Sequence, residues 1–294
     1  MPAPRRRRGG AAPRIVRRVA EVRRAVDAWR RRGLTVAFVP TMGAIHEGHE
    51  SLVARARRGA DRVVASVFVN PLQFGPGEDY ARYPRPRARD RRRLAAAGVD
   101  LLWEPGVEDI YPPGAATRVR VAGLDAVLEG ASRPGHFEGV ATVVLRLLLV
   151  VRPDVLWLGQ KDAQQALIVE RMVADLGVPV RVRRAPTVRE PDGLARSSRN
   201  AYLDPEQRRQ AASLSRGLAA ARAALERGER SAARLRAIVR RAWRGLDQVV
   251  EDYVAVVDAR TLAPRTTVRG RVLVAVAARV GPARLIDNFE WEEA

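Results

Sequence analysis

The chain contains no cysteine. That removes disulfides, thiolate nucleophiles and cysteine-held metals from consideration, and makes a reducing cytoplasm the expected setting. No stretch approaches the roughly 18–20 uncharged apolar residues that cross a bilayer, so no membrane partner is expected. The basic start MPAPRRRRGGAAP has no apolar segment behind it, and a signal peptide is not expected. Lysine is nearly absent: of 53 cationic residues, 52 are arginine and one is Lys161. A chain that uses arginine for every other cation, yet keeps one lysine, points to a position needing a compact, mobile ammonium. Histidine is equally sparse, confined to His46, His49 and His136.

The 294 residues are nearly half apolar, enough for one large domain or two smaller ones. Half of the formal net charge of +20 sits in residues 1–32, where twelve arginines face only Glu21 and Asp27. The run Arg5–Arg8 beside proline and glycine reads as part of a disordered tail over residues 1–13. The remaining charge is interleaved with acids and forms no focused stripe, so nucleic acid is not the expected partner.

Apolar, β-branched runs alternate with helical patterns as far as residue 185. Leu34–Pro40, Asp61–Asn70, Val99–Trp103, Arg118–Ala122, Asp154–Gly159 and the segment VPVRVRRAP read as strands. Helices are expected near Glu50–Gly59, Arg87–Ala97, Glu138–Val151 and Ala163–Leu176. Continuous apolar strands separated by helices imply an α/β domain, residues 14–185, whose parallel sheet is covered on both faces. Beyond Pro186 the pattern changes to two helices, near Pro205–Arg227 and Ser231–Leu246, followed by strand-like YVAVVDA, RVLVAVAARV and ARLIDNF. Residues 186–294 therefore read as a smaller α+β domain.

Four segments carry chemistry. In PTMGAIHEGHESL a strand gives way to a glycine-bearing loop and then a helix beginning near Gly48 or His49. The carboxyl end of a parallel strand is where such sheets bind ligands, and a helix start offers unpaired N–H groups and partial positive charge to a phosphate. His46 and His49 can face the same anion, and Gly48 leaves room for a flat adenine or ribose. Zinc is an alternative for the two histidines, but no third ligand lies nearby. In LWLGQKDAQQ, Lys161 and Asp162 lie at another strand-to-helix junction, with Gln164 and Gln165 on the first turn. An ammonium there can neutralise charge developing on a phosphate. LARSSRN offers hydroxyls beside arginines in a short anion-binding loop. Finally, VNPLQFGPGEDYARYPR and RPGHFEGV place Asn70, Gln73 and His136 in loops near strand or helix ends.

Together these segments resemble the pantothenate synthetase (pantoate–β-alanine ligase) family. PTMGAIHEGH, VFVNPLQF, YPR, RPGHFEGV, GQKDAQQ and PTVREPDGLARSSRN stand in that family's order and spacing over roughly residues 15–290. The resemblance implies a Rossmann-like parallel-sheet N-terminal domain, a smaller C-terminal lid domain and a homodimer. It implies two steps. Pantoate's carboxylate attacks the α-phosphorus of Mg-ATP to give pantoyl adenylate and pyrophosphate, and β-alanine's amine then displaces AMP. His46, His49 and Lys161 would bind phosphates and stabilise the departing pyrophosphate, with His49 in the position usually named the active-site acid. Met42, Gly43, Ala44, Ile45, His46, Glu47, Gly48 and His49 would line the ATP site. So would Gly159, Gln160, Lys161, Asp162 and Val188, and the loop Arg196, Ser197, Ser198, Arg199. Gln73 and Gln165 would hold pantoate, Gln73 also lying near β-alanine, while Asn70, Tyr83 and His136 would border the cavity.

Two departures from the family pattern are visible. Arg196 replaces the methionine usual before Ser-Ser-Arg-Asn. After YPR the usual acidic pair is absent and Asp90 alone remains as a candidate magnesium ligand. Rival readings are another adenylate-forming enzyme, such as a truncated aminoacyl-tRNA synthetase relative, and a nucleic-acid-binding module with a degenerate site. GQKDAQQ disfavours the first, and the intact His, Lys and Gln set disfavours the second.

Overall fold

The structure, a computed structural model, describes residues 12–293. The arginine-rich tail expected over residues 1–13 lies outside the described residues as far as position 11. The chain divides into two compact units. One comprises the residues up to 159 together with 164–185, and the other comprises 160–163 together with 186 onward.

The first unit is built on β1 (Arg14–Val16), β2 (Val36–Thr41), β3 (Arg62–Val67), β4 (Leu101–Trp103), β5 (Val155–Gly159) and β6 (Arg181–Ala185). All pair in parallel, in the order β1-β4-β3-β2-β5-β6. The connecting helices are α1 (Val19–Arg30), α2 (Glu47–Gly59), α3 (Arg87–Ala97), α4 (Val107–Ile110), α5 (Glu129–Ser132), α6 (His136–Val151) and α7 (Ala163–Asp175). Val36–Val39 and Leu101–Trp103 are wholly buried, as expected of strands covered on both faces. On one face Ala37, Val39, Ala65 and Leu102 form a core with Val53 of α2 and Leu94 of α3. Phe38, one residue out of phase, points to the opposite face.

Short polar ties fix the strand ends. Val36 N–H donates to Asp154 Oδ2 at 2.7 Å, and Val63 N–H to Asp100 Oδ2 at 2.8 Å. At the other end of β2, Thr41 Oγ1 donates to Ser66 O at 2.7 Å and accepts from Gly43 N at 3.2 Å. Strand order reverses at β2: β3 and β4 lie to one side, β5 and β6 to the other. The crevice at the carboxyl ends of β2 and β5 is therefore the switch point, where open α/β sheets bind ligands.

The strand expected over Arg118–Ala122 is absent. Its alternation suggested a half-buried strand, but no neighbouring strand pairs with it. Val119 N–H donates instead to Thr142 Oγ1 at 2.9 Å, and the arginines on either side are exposed. Conversely, β1 and α1 occupy a stretch whose arginines obscured a short strand and an amphipathic helix.

In the second unit β7 (Val249–Asp258), β8 (Arg271–Val280) and β9 (Ala283–Glu292) form an antiparallel sheet in that order. Helices α8 (Pro205–Ala211), α9 (Ser213–Glu226) and α10 (Ala232–Arg241) complete it. Leu214, Leu218, Leu235 and Val239 pack with Val254, Val274 and Val276 of the sheet. The single helix expected over 205–227 is two, meeting at Ala212.

Candidate active site

The turn after β2 is strained and clamped. Gly43 has φ +90° and Ala44 has φ +49°, a left-handed conformation that disfavours a residue bearing a Cβ by about 1–3 kcal/mol. A side chain on Gly43 would also come within 3.0 Å of Asp90 Oδ2 and 3.1 Å of Val67. The compensation comes from Asp90 in the first turn of α3. Its Oδ2 accepts from Ala44 N at 2.9 Å and its Oδ1 from Ile45 N at 2.8 Å. Asp90, expected as a magnesium ligand, is buried here and clamps the backbone, each oxygen accepting one N–H. Burial pushes its carboxyl up from the usual range, while the two N–H donors pull the other way.

The turn delivers two histidines to the start of α2. His46 caps the helix, its Nδ1 accepting from Gly48 N at 3.1 Å, and His46 N donates to His49 Nδ1 at 3.4 Å. With both Nδ1 atoms accepting, each ring proton belongs on Nε2. The rings lie 4.1 Å apart, tilted by 32°. The pair therefore sets two imidazoles, each with Nε2 as its N–H side, beside a helix N-terminus, an arrangement suited to phosphate oxygens. Gly48 has a second reason to lack a side chain. A Cβ there would stand 2.8 Å from His46 Cε1, so its bareness accommodates the His46 ring. Glu47 joins Glu50 in pairing with Arg93 of α3, at 2.8 and 2.7 Å.

The 3-10 turn Pro71–Gln73 follows β3. Asn70 is buried: Nδ2 donates to Gly139 O at 3.0 Å and to Gln73 Oε1 at 3.1 Å, while Oδ1 accepts from Tyr111 OH at 2.8 Å. Gln73 Nε2 donates to Met42 Sδ at 3.0 Å. A thioether is a weak acceptor, so this amide is easily surrendered to a better one. His136 Nδ1 lies 2.8 Å from Gln73 O, and its Nε2 lies 3.0 Å from an Arg133 nitrogen that can donate only. Burial, with the Arg133 charge adding to it, pushes the imidazole down to about 4. His136 is accordingly a neutral strut under Gln73, with Arg133 anchored in turn by Glu78 at 2.5 Å. Tyr83 is buried edge-on against Phe74, ring centres 5.8 Å apart.

The two glutamines of α7 part company. Gln164 is buried and spent: Nε2 donates to Leu124 O at 2.7 Å and Val127 O at 2.8 Å, and Oε1 accepts from Glu129 N at 3.1 Å. Gln165 is half-buried and makes no such bond among the described residues.

In the second unit, the 3-10 turn Gln160–Asp162 carries Lys161, whose Nζ lies 3.1 Å from Asp162 Oδ1. Asn288 of β9 donates to the carbonyls of Gln160 and Lys161. A bridge between Arg189 and Ala195 and a bond from Arg196 N to Val188 O form a hairpin leading into Ser197, which caps the turn Ser198–Tyr202. Arg196 pairs with Glu190 at 2.9 Å, and Glu190 also receives Asn200 Nδ2 at 2.6 Å and Arg208. Burial opposes its charge, but these three donors hold the Glu190 carboxyl below its usual range. Sequence reading passed over Asp90 as a clamp, Asn288 and Glu190. Their partners Ala44, Asn200 and Gln160 are 46, 10 and 128 residues distant, separations that periodicity does not report.

A histidine pair presenting Nε2 donors at the switch point of a parallel sheet defines a nucleotide-handling α/β enzyme. The family model described as pantoate-beta-alanine ligase matches residues 14–290, and the chain belongs to that family. It is 53% identical over 278 residues to the pantothenate synthetase of Moorella thermoacetica, covering 95% of this chain and 98% of that one. The corresponding protein of Thermus thermophilus is 55% identical over 278 residues, covering 94% and 99%. A crystal structure of the Thermus thermophilus pantothenate synthetase superposes with a TM-score of 0.89 over 94% of this chain and 98% of that one, at 53% identity. The Francisella tularensis pantoate-beta-alanine ligase, solved with β,γ-ATP and β-alanine, gives 0.77 at 32% identity over 95% and 97%.

Proposed function

We propose that the protein condenses pantoate with β-alanine to pantothenate at the expense of ATP, through pantoyl adenylate, releasing AMP and pyrophosphate. The observation that carries this is the pair His46 and His49 at the α2 N-terminus, each ring fixed by a backbone N–H on its Nδ1. A carboxylate is a poor electrophile, and adenylation gives it a good leaving group. The protein's share is then positioning and charge stabilisation, with no covalent intermediate on a side chain.

In this reading His46, His49 and Lys161 bind the ATP phosphates and receive the charge passing to pyrophosphate. Gln73 and Gln165 hold pantoate: one amide is weakly engaged by sulfur and the other makes no hydrogen bond among the described residues. The hairpin from Val188 to Arg196 and the hydroxyls of Ser197 and Ser198 supply further ATP contacts. Among the described residues no group of three or more His, Asp or Glu side chains is placed to hold a metal ion. Magnesium would enter on the ATP phosphates. A cytoplasmic homodimer completes the proposal. It draws on the family resemblance and the cysteine-free composition, and no described helix is long and apolar enough to cross a membrane.

The deciding experiment is ATP–pyrophosphate exchange by the purified protein without β-alanine. Exchange that depends on pantoate is expected. Exchange driven by an α-amino acid instead would transfer the chain to the aminoacyl-adenylating enzymes and overturn the proposal.

A further inference from the structure

Asn288 stands in the middle of β9, registered against Ala275 of β8, and is only 5% exposed. Its side-chain nitrogen donates to two successive carbonyls, Gln160 O at 3.1 Å and Lys161 O at 2.8 Å. Its Oδ1 accepts from Gln160 Nε2 at 3.1 Å, and its backbone N–H donates to Asp287 Oδ1 at 2.8 Å. Asp287, 2% exposed, is gripped by Arg189 at 2.6 and 3.0 Å. Arg189 belongs to the hairpin that leads to Arg196–Arg199. One dipeptide on a ladder-fixed strand thus ties down both segments assigned to the nucleotide in this unit.

We infer that Asn288 is a positioning residue for adenylation, setting where the Lys161 backbone, and hence its ammonium, stands; the catalytic part of this rests on the function proposed above. The chemistry of the amide explains the choice of residue. Two carbonyl oxygens three atoms apart along the chain need two N–H donors on a short stem, and asparagine supplies both from one nitrogen. Aspartate has the same shape but would set an oxygen against the two carbonyls. Alanine would take the side-chain donor from both in a partly buried place. Either change frees the turn while leaving Lys161 itself intact, and a displacement of about 1 Å at a reacting group can cost on the order of a hundredfold in rate.

Because Lys161 is the chain's only lysine, protein labelled with carbon-13 and nitrogen-15 lysine reports on that residue alone. In Asn288→Asp and Asn288→Ala the Lys161 carbonyl-carbon signal is expected to move upfield, as it does when a hydrogen bond is lost. The change induced by ATP should shrink. In parallel, pantoate-dependent pyrophosphate exchange is measured for Asn288→Asp in the natural chain and in a Lys161→Ala background. A loss of about a hundredfold is expected in the first and less than about threefold in the second, since a residue acting through Lys161 has nothing left to position. An unmoved carbonyl signal, or an equal loss in both backgrounds, overturns the inference. Absence of exchange in the natural protein would refute the assigned acid, and the single-lysine spectrum would still decide what Asn288 holds.

Discussion

Asp90 reaches from α3 to the turn after β2 and takes the N–H of Ala44 on one carboxylate oxygen and that of Ile45 on the other, at 2.9 and 2.8 Å. The bonds hold Ala44 in its left-handed conformation and so aim His46 and His49. Asp90→Ala should lower unfolding stability by about 2–4 kcal/mol, the cost of leaving two buried donors unpaired. It should also reduce kcat/KM for ATP at least roughly tenfold by loosening the turn. The magnesium concentration for half-maximal activity should not move. A shifted magnesium midpoint with an unchanged Tm would make Asp90 a metal ligand after all.

His49 is assigned a donor role through Nε2. His49→Ala should therefore lose on the order of 10²–10³ in kcat/KM for adenylation. Glutamine places an amide N–H close to where the imidazole Nε2–H stands, so His49→Gln should recover a measurable part of that loss. Steady-state kinetics of the two variants make the comparison. Equal defects would show that the ring acts as more than a hydrogen-bond donor.

Gln164 and Gln165 are adjacent, yet their substitution should have opposite signatures. Gln164→Ala removes three buried hydrogen bonds and should lower stability by about 2–3 kcal/mol, with modest effects on KM. Gln165→Ala breaks no hydrogen bond among the described residues and should leave Tm unchanged while raising KM for pantoate. Thermal melts and pantoate titrations of both proteins test this, and a destabilised Gln165→Ala would contradict the assignment.

That pair also shows what the sequence discloses and what it withholds. The alternation of apolar strands with helices is a local pattern, so the parallel sheet, its junction at Thr41 and the helix starts at Glu47 and Ala163 were legible within a few residues. Which glutamine is spent is decided by Leu124, Val127 and Glu129, which no local pattern brings near α7. The ring beside Gly48 was hidden for the same reason, since it belongs to His46, whose rotamer the sequence leaves open. Arg118–Ala122 had a strand's alternation but no partner strand, and pairing is a property of the fold.

His136 gives a pH signature. Its imidazole is pushed from the ordinary 6.5 down to about 4 in the folded protein, by burial first and by Arg133 second. Between these values the unfolded chain binds a proton that the folded chain does not, so stability falls as pH drops. The contribution is fully present above pH 6.5 and lost on approaching pH 4, about 3 kcal/mol in all. Urea unfolding at intervals across that range should show the slope in the natural protein. His136→Gln should flatten the slope in this window while still offering Gln73 O a donor. An unchanged slope in the variant would assign the pH dependence elsewhere.

Lys161→Arg separates charge from shape. The substitution keeps the positive charge near Asp162, which lies 3.1 Å from Nζ, and it matches the cation used at every other position of this chain. If charge alone were needed, activity should survive. A guanidinium is planar, bulkier and bound to its donors in a fixed fork, whereas an ammonium can follow a phosphate as negative charge shifts toward pyrophosphate. The rate of pantoate-dependent exchange should therefore fall roughly 10–100-fold, the size of a misplaced charge donor, while ATP still binds. Exchange kinetics with ATP affinity measured alongside distinguish the two cases. Full activity in Lys161→Arg would mean that the single lysine reflects composition, not chemistry.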